Sequence, residues 1–307
     1  MNACIRAVVR TALSHRLEVF GVRRGYHGLI TDEFVRLDAS SVSGLINRGG
    51  TFLLTARTKE FETARGIQKA CRVLTKRRMD GLIVLGGNGS LKGAWELAQK
   101  TRTALIGIPK SIDNDVGGTD FSIGFDTAVN TAVEVVDKIR DTATSHERLF
   151  FVEVMGRKRG FLALATALAG GAEAVLLPET QTDIPALCRK LEEGKRRGKT
   201  SSIVVVAEGD EVGGAFDIAR KIRRATDYDV RVSVIGHQQR GGAPSAFDRI
   251  LASQLGNAAV KFLLQGERTK LVGIRRGEIV LSPLDHAWKI KRPLDPSLLG
   301  LAEILSR

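Results

Sequence analysis

The chain has 307 residues, 43% of them hydrophobic and 26% charged, which is ordinary for a soluble globular protein of one or two domains. No apolar run approaches the roughly 20 residues that a membrane-spanning helix needs, and no signal-peptide pattern opens the sequence. The three cysteines, Cys4, Cys71 and Cys188, are an odd number without CxxC pairing. Composition therefore argues against a membrane or secreted protein and predicts a cytoplasmic one with reduced thiols.

The formal net charge of +13 raises the question of nucleic-acid binding. The excess basic residues form short clusters in segments predicted to be helical, such as Lys195–Arg197 and Arg223–Arg224, and aromatic residues make up only 5% of the chain. Because no aromatic residues interleave with these clusters, we expect no nucleic-acid partner. An excess of positive charge also suits the binding of small anionic ligands.

The first predicted element is an amphipathic helix over Met1–Leu13, and a strand over Leu17–Val22 follows it. An α/β domain normally begins with a strand and a glycine-rich turn, which would precede such a helix. Two explanations are open: the native start lies upstream and Met1 is an internal methionine, or the gene is truncated. We expect the first.

Two apolar runs further along the chain each end in a distinctive turn. Residues Asp80–Ser90 predict a buried strand that runs into a glycine turn, with a helix from Leu91. The run Ala104–Ile108 predicts a second buried strand, which Pro109 ends because proline has no backbone N–H. Glycines let a backbone approach a phosphate closely, and a helix N-terminus favours an anion. The glycine turn is therefore a candidate phosphate site.

The loop after the second strand concentrates polar side chains, and helical periodicity resumes only at Thr127. Its charged and amide residues are Lys110, Asp113, Asn114, Asp115 and Asp120. In an open α/β sheet, loops at the carboxyl ends of strands bind ligands. Carboxylates beside a cation suit proton transfer from a hydroxyl that lies next to a negatively charged group. The same composition is typical of a capped, Asx-turn-rich loop, and spacing alone leaves both interpretations open.

The second half of the chain continues the alternation of strands and helices, which is typical of parallel sheets. One helix is predicted to begin at Gly156–Arg157, and a long helix is predicted over Ala246–Leu264. The predicted strands are Arg148–Met155, Ala174–Leu177, Ile203–Ala207 and Leu271–Ile274. We therefore predict an α/β protein with two doubly wound domains.

Four motifs resemble those of the phosphofructokinase family and follow its order. They are Gly86–Ser90 (GGNGS), Pro109–Asp115 (PKSIDND), Glu153–Arg157 (EVMGR) and Gly236–Ser245 (GHQQRGGAPS). Each motif alone is weak, whereas four in register over nearly the whole chain are highly specific. The resemblance implies two Rossmann-like domains: a phosphoryl-donor domain over 1–123 and 239–289, and a sugar-phosphate domain over 124–238 and 290–307. It also implies a glycolytic reaction, transfer of the γ-phosphoryl group of ATP to the 1-hydroxyl of fructose 6-phosphate to give fructose 1,6-bisphosphate.

The resemblance assigns catalytic roles to three residues. In the family the first aspartate of the loop, here Asp113, takes the proton of the sugar 1-hydroxyl. Lys110 and Arg157 match positions that stabilise the transferring phosphoryl group, where charge develops. The positions that match sugar-phosphate contacts are Ser111, Asp115, Arg148, Met155, Gly156, Glu208, Arg231, His237 and Arg240. Arginine suits this role because its guanidinium binds phosphate bidentately.

The family's contacts with the nucleotide and Mg²⁺ map to the first half of the chain. The matching nucleotide positions are Tyr26, Arg57, Gly87, Gly89, Ser90 and Gly93. Asn88 stands where the family has a Mg²⁺-binding aspartate, so the amide keeps an oxygen but loses the charge that Mg²⁺ prefers. Glu62 replaces a basic residue of the phosphate clamp, and the family's Gly-Gly-Asp turn before the first helix is absent. These departures favour an alternative, a catalytically weak regulatory paralogue that binds sugar phosphate.

Gly89 and Lys110 bear on the choice of phosphoryl donor. Family members that use pyrophosphate typically carry aspartate at the position of Gly89 and lysine at that of Lys110. Glycine leaves room for the α-phosphate of ATP, whereas Lys110 is of the pyrophosphate type. Members with this mixed pair resemble ATP users. We therefore predict ATP, with a pyrophosphate-dependent enzyme of the same fold as the alternative.

The resemblance also implies assembly and regulation. In the family, residues that match Arg148 and Arg231 reach the 6-phosphate of the substrate bound to the neighbouring subunit, which implies shared sites in a homo-oligomer, a tetramer. An allosteric nucleotide-phosphate site between subunits is implied as well, with Ala39 in place of one of its arginines. The residues that match this effector site are Arg6, Arg10, Arg140, Glu173, Arg197 and Lys199.

Overall fold

The computed structural model describes residues 1–146 and 148–306, so Glu147 and Arg307, both inside the predicted sugar-phosphate domain, lie outside the described residues. Ten strands and eleven α-helices form within the described ranges, and the predicted α/β class is confirmed. The strands are β1 (Val19–Val22), β2 (Phe34–Leu37), β3 (Gly81–Gly86), β4 (Ala104–Pro109), β5 (Leu149–Val154), β6 (Ala174–Leu176), β7 (Ser202–Ala207), β8 (Val230–Val234), β9 (Lys270–Arg275) and β10 (Glu278–Pro283).

The helices lie between these strands and after them. They are α1 (Asn2–Ser14), α2 (Tyr26–Thr31), α3 (Ala64–Lys76), α4 (Asn88–Ala98), α5 (Phe125–His146), α6 (Phe161–Ala169), α7 (Ile184–Arg196), α8 (Ala215–Ala225), α9 (Ala246–Leu264), α10 (His286–Lys289) and α11 (Pro296–Leu305). Short 3₁₀ helices form at Glu60–Glu62 and Gly236–Gln239. No helix among the described residues is both long and apolar enough to cross a membrane.

The chain divides into two compact units. Unit 1 comprises residues 1–111, 115–124 and 241–292, and unit 2 comprises the described residues of 112–114, 125–240 and 293–306. The loop between β4 and α5 therefore contributes residues to both units, with Asp113 in unit 2 and Asp115 in unit 1.

Unit 1 is built on a four-stranded sheet with the strand order β10-β9-β4-β3. Strands β3, β4 and β9 are parallel, and β10 is an antiparallel edge strand. Strand β4 is buried along its whole length, which explains its unbroken apolar sequence. Helix α1 packs on α9 at Gly256, where a Cβ would lie only 2.8 Å from the Cβ of Ala7. Glycine at this position allows the two helices to approach closely.

Unit 2 is built on a fully parallel sheet with the strand order β6-β7-β5-β8. Both faces are covered: in β7, Ile203 and Val205 belong to one core cluster, and Val204 and Val206 belong to another. This explains why the strand is apolar without alternation. The strand order reverses at β5, whose neighbours are β7 and β8. Ligands bind at such a reversal, outside the carboxyl ends of the strands.

Two predicted helix starts were wrong, and both bear on the candidate site. Helix α4 begins at Asn88 rather than Leu91, with Gly87 as its N-cap. Helix α6 begins at Phe161 rather than at Gly156. The turn before α6 has φ of 142° at Gly156 and 55° at Arg157, values that a right-handed helix does not use. Strands β2, β8 and β10 and helices α2, α3, α10 and α11 were not predicted.

Candidate active site

The glycine turn lies at the carboxyl end of the unit 1 sheet, between β3 and α4. A Cβ on Gly86 would lie 2.4 Å from the Cβ of Ser90, so only glycine fits there. A Cβ on Gly89 would meet no described atom within 4 Å. The predicted nucleotide residues Gly87, Gly89 and Ser90 thus surround the N-terminus of a helix, a favourable place for an anion. Within unit 1 the space beside Gly89 is open.

Asp115 connects the glycine turn to the loop after β4. Its Oδ2 accepts a hydrogen bond from Nδ2 of Asn88 at 2.9 Å, and its Oδ1 accepts one from Oγ of Ser111 at 3.1 Å. Oδ1 of Asn88 is buried and has no hydrogen-bond partner among the described residues. The structure therefore brings the side chains of Asn88, Ser111 and Asp115 together. The carboxylate of Asp115 and the unsatisfied amide oxygen of Asn88 belong to this group.

The loop that carries Lys110 is anchored at several points within unit 1. Lys110 forms an isolated parallel bridge with Ile123, and its N–H donates to the carbonyl oxygen of Gly86 at 2.9 Å. The carboxylate of Asp120 accepts a hydrogen bond from the backbone N–H of Arg276 at 2.7 Å. Asp120 therefore has a structural use, whereas Lys110 is held directly beside the glycine turn.

Tyr26 and Gly93 are neighbours in unit 1. The ring of Tyr26 stacks on Phe61, with 3.8 Å between centroids, and its hydroxyl donates to the carbonyl oxygen of Ser90. A Cβ on Gly93 would lie 3.0 Å from Phe61 and 3.2 Å from Tyr26, so glycine makes room for the stack. Burial raises the pKa of Tyr26, so its hydroxyl stays a donor. Tyr26 thus supports the glycine turn, while Arg57 is exposed in the loop before the first 3₁₀ helix.

Asp113 and Arg157 meet in unit 2. Asp113 is only 4% exposed, and its Oδ2 lies 3.4 Å from Nε of Arg157. The arginine side chain is 66% exposed, so its guanidinium reaches the surface beside a buried carboxylate. A carboxylate in this position can accept a proton, and the adjacent cation can stabilise a developing negative charge. The pair therefore has the two components that phosphoryl transfer to a hydroxyl requires.

The turn that presents Arg157 is held by Glu208, the first residue after β7. Oε1 of Glu208 accepts a hydrogen bond from the backbone N–H of Arg157 at 2.7 Å. A Cβ on Gly209 would lie 1.9 Å from the carbonyl oxygen of Arg157, so the chain after β7 passes against the turn only because residue 209 is glycine. Met155, Gly156 and Glu208 are therefore brought together at the carboxyl edge of the unit 2 sheet.

Gln239 is a residue of this region that sequence reasoning missed. It is 2% exposed, and its Oε1 accepts a hydrogen bond from the backbone N–H of Met155 at 2.7 Å. It lies in the 3₁₀ turn after β8, between the exposed residues His237 and Arg240. The motif contains Gln239, but a single sequence gives no sign that it faces inward. Its side chain joins the His237 turn to the end of β5.

The two remaining predicted phosphate ligands lie at the opposite edge of the same sheet. Arg148 precedes β5 and Arg231 is the second residue of β8, so both are at the amino ends of parallel strands. Asp229 Oδ2 lies 2.9 Å from Nε of Arg148 and 3.1 Å from Nη2 of Arg231. The two arginines line an open concavity of about 600 Å³ with Phe150, Phe216, Arg223 and Val232. Sequence reasoning missed Asp229.

The predicted effector residues divide between the units. Arg6 and Arg10 lie on α1 in unit 1, and Ala39 is exposed after β2. In unit 2, Glu173 lies 3.9 Å from Nη1 of Arg140 and 4.0 Å from Nζ of Lys199. A small cavity in unit 2 is lined by Glu173, Lys190, Leu191, Gly194, Arg197, Lys199, Ser202 and Ser306. Three of the predicted basic residues of unit 2 are thus close to Glu173 or to the cavity that it lines.

The three thiols are unsuited to nucleophilic chemistry. Cys4, Cys71 and Cys188 are free, and two of them are buried. Burial raises the pKa of Cys4 to about 12 and raises the pKa of Cys71 and Cys188 as well. Because the thiolate is the reactive form, the candidate chemistry belongs to the carboxylates and arginines.

Sequence comparisons place the chain among known enzymes. A profile described as "Phosphofructokinase" matches residues 1–263. The ATP-dependent 6-phosphofructokinase 1 of Thermus thermophilus is 51% identical over 306 residues, which cover 100% of this chain and 95% of the relative. An ATP-dependent 6-phosphofructokinase of Clostridium botulinum is 47% identical over 307 residues, with the same coverage.

Solved structures of phosphofructokinases also resemble this chain. The structure of phosphofructokinase from Saccharomyces cerevisiae matches with a TM-score of 0.89 at 32% identity; the match covers 100% of this chain, which spans 46% of that longer chain. A pyrophosphate-dependent phosphofructokinase from Marinobacter aquaeolei matches with a TM-score of 0.84 at 25% identity, over 95% of this chain and 82% of that one. The resemblance predicted from the four motifs is thereby confirmed: the chain belongs to the phosphofructokinase family.

Proposed function

We propose that this chain transfers the γ-phosphoryl group of ATP to the 1-hydroxyl of fructose 6-phosphate, giving fructose 1,6-bisphosphate. The observation that carries this proposal is the buried carboxylate of Asp113 with the guanidinium of Arg157 beside it. Relatives that are 47% to 51% identical over the whole chain and are named ATP-dependent 6-phosphofructokinases support the same reaction. We assign the phosphoryl donor to unit 1 and the sugar phosphate to unit 2, with the boundaries predicted from sequence.

Asp113 is the proposed general base. Its Oδ atoms accept the proton of the sugar 1-hydroxyl as that oxygen attacks the terminal phosphoryl group, and a positioned base of this kind contributes about 10²–10⁴-fold in rate. Arg157 and Lys110 offset the negative charge that spreads over the transferred oxygens. Both cations are on well-fixed backbone: Glu208 holds the turn of Arg157, and the bridge to Ile123 holds Lys110.

The sugar phosphate is bound at the carboxyl edge of the unit 2 sheet. We assign the 6-phosphate to His237 and Arg240, both exposed on the turn that Gln239 anchors. We assign sugar hydroxyl contacts to Glu208 and to the backbone at Met155 and Gly156. Glu208 can serve both the turn and the sugar because a carboxylate has two oxygens and about four acceptor sites.

Arg148 and Arg231 make the proposed site a shared one. A six-residue strand such as β5 is about 20 Å long, so these arginines lie too far from His237 and Arg240 to hold the same phosphate within one chain. Their side chains therefore bind the 6-phosphate of a substrate held by a neighbouring chain. We propose a homo-oligomer on this ground, and a tetramer by analogy with the family.

Mg²⁺ is the proposed cofactor, and Asp115 and Asn88 would hold it. No cluster of three or more His, Cys, Asp or Glu side chains able to bind a metal exists among the described residues. Mg²⁺ usually binds through one or two carboxylates together with substrate phosphates, and the carboxylate of Asp115 with the unsatisfied Oδ1 of Asn88 fits that pattern. When bound, the ion would neutralise charge on the donor phosphates.

Gly89 supports ATP over pyrophosphate as the donor. No described atom would lie within 4 Å of a Cβ at this position, so unit 1 leaves space where an aspartate would otherwise stand. Lys110 is compatible with either donor, because it would act on the transferred group itself. We propose that Tyr26, Arg57, Ser90 and Gly93 serve the nucleotide side of this site, directly or by supporting the glycine turn.

An anionic effector and a cytoplasmic location complete the proposal. We assign the effector to the basic residues around Glu173, namely Arg140, Arg197 and Lys199, together with Arg6 and Arg10 on α1. The cytoplasm is supported by three free cysteines, since reducing compartments keep thiols unpaired.

The base assignment predicts that Asp113→Asn lowers kcat by about 10²–10⁴-fold and leaves the affinity for fructose 6-phosphate nearly unchanged. Asp120→Asn is the matched control, because Asn keeps an acceptor for the N–H of Arg276. A coupled assay of aldolase and NADH oxidation gives both constants. An Asp113→Asn rate above about a tenth of the parent rate would remove Asp113 from this role.

The donor assignment predicts that Gly89→Asp abolishes use of ATP, since the new carboxylate would repel and displace the α-phosphate. The variant should fold, because the site has room and an acidic side chain in the first turn of a helix is favourable. Gly89→Ala adds a Cβ without charge and should retain ATP use. Steady-state rates with ATP and with pyrophosphate decide the point; undiminished ATP turnover in Gly89→Asp contradicts the assignment.

The metal assignment predicts that Asn88→Asp increases the stabilisation by Mg²⁺. Two carboxylates would then face each other across a hydrogen-bond distance and repel without a cation. Thermal melting should show a lower Tm than the parent in EDTA and a larger rise with MgCl₂. The exchanged variant Asn88→Asp/Asp115→Asn restores one carboxylate and one amide, and should melt like the parent. Equal Mg²⁺ shifts in all three proteins would refute the site.

The sharing of sites predicts complementation between a variant that binds fructose 6-phosphate weakly and a variant that lacks the general base. Arg231→Ala chains and Asp113→Asn chains, unfolded and refolded together in equal amounts, should regain about a quarter of the intact sites by random pairing. Each variant refolded alone is the control. Native mass spectrometry verifies that hybrids form, and hybrids without any regained activity would show that the arginines act within their own chain.

A further inference from the structure

Two arginines at the amino edge of the unit 2 sheet converge on a single atom. Nε of Arg148 and Nη2 of Arg231 lie 2.9 Å and 3.1 Å from Oδ2 of Asp229. The carboxylate is half-exposed, as is Arg231, so this contact is not a consequence of core packing. None of the roles assigned above uses Asp229.

The backbone of the sheet fixes where Asp229 stands. Strands β5 and β8 are paired in parallel, and the N–H of Leu149 donates to the carbonyl oxygen of Asp229 at 3.2 Å. Asp229 thus immediately precedes β8 and is tied to the first residue of β5, next to Arg148. Because strand pairing sets this position, the carboxylate is a fixed point against which two long, flexible side chains can be oriented.

The negative charge of Asp229 allows Arg148 and Arg231 to lie close together. Two guanidinium groups drawn to one oxygen repel each other, and the carboxylate between them offsets that repulsion. The hydrogen bond from Arg148, and then that from Arg231, lowers the pKa of Asp229, so it is ionised at neutral pH. Each guanidinium has five N–H donors, and Asp229 accepts a hydrogen bond from one donor of each arginine. The remaining donors can bind phosphate oxygens bidentately.

We propose that Asp229 is a positioning residue of the sugar-phosphate site: it holds Arg148 and Arg231 as a preorganised pair for a phosphate monoester dianion. The inference deepens the proposed function, on which the identity of that phosphate rests. Asp229 itself does not touch the substrate. Its effect is to reduce the side-chain ordering that phosphate binding would otherwise require.

The test is Asp229→Ala in the assembled full-length protein. The KM for fructose 6-phosphate should rise about tenfold, the lower end of the effect of losing a partner that orients a ligating group, while kcat and the KM for ATP stay unchanged. Asp227→Ala is the matched control, because it removes an exposed carboxylate two residues away and should leave KM unchanged. An unchanged KM in Asp229→Ala overturns the proposal. A lowered KM also overturns it, by showing that the carboxylate competes with the phosphate.

A double-mutant cycle separates positioning from a general loss of stability. In an Arg148→Ala/Arg231→Ala background, Asp229→Ala should have no further effect on KM. A full additional effect there would mean that Asp229 acts elsewhere.

A binding measurement that does not require turnover tests this inference separately from the proposed reaction. Equilibrium dialysis with labelled inorganic phosphate measures binding in the parent, in Asp229→Ala and in the double arginine variant. Asp229→Ala should lose most of the binding that the double variant loses, and retention of that binding overturns the proposal. A parent that binds phosphate through the arginines but does not phosphorylate fructose 6-phosphate would contradict the proposed function alone.

Discussion

The ion pair between Asp113 and Arg157 is the interaction on which the rest of the site depends, and it requires an unfavourable backbone. Arg157 has a φ of 55°, a conformation that costs a residue other than glycine about 1–3 kcal/mol. The hydrogen bond from its N–H to Glu208 is charge-assisted and contributes about 1.5–3 kcal/mol. The cost of the backbone conformation and the gain from the hydrogen bond are of similar size, so the turn is stable because Glu208, directly after β7, supplies a carboxylate. Gly209 allows the chain after β7 to pass close to the turn.

Much of this arrangement could be predicted from sequence because it is local. Strands buried on both faces appear as unbroken apolar runs, and Ala104–Ile108 and Ile203–Ala207 were found in this way. Proline ended the first of these within one residue of the observed end of β4. The glycine turn and the acidic loop follow their strands directly, so the rule that ligands bind at carboxyl ends was enough to select them.

The parts that could not be predicted depend on contacts between distant segments. Helix α6 begins at Phe161 because Glu208, some fifty residues later, holds Arg157 out of the helix. Gln239 is polar and lies in an exposed motif, and only the folded chain shows that its side chain accepts a hydrogen bond from the backbone N–H of Met155. Asp229 gives no local signal at all, since its meaning comes from the parallel pairing of β5 with β8. In each case the contact joins segments that are about 50 or more residues apart in the sequence.

Under the proposed sharing of sites, the placement of basic side chains at both edges of one parallel sheet would link ligand binding to protein concentration. In the proposed shared site, with Arg148 and Arg231 at one edge and His237 and Arg240 at the other, a sugar phosphate would bridge two chains and form part of their interface. A ligand that binds only the assembled form stabilises it by mass action. Substrate would therefore slow dissociation of the oligomer on dilution, and the activity of each chain would depend on how many others are present.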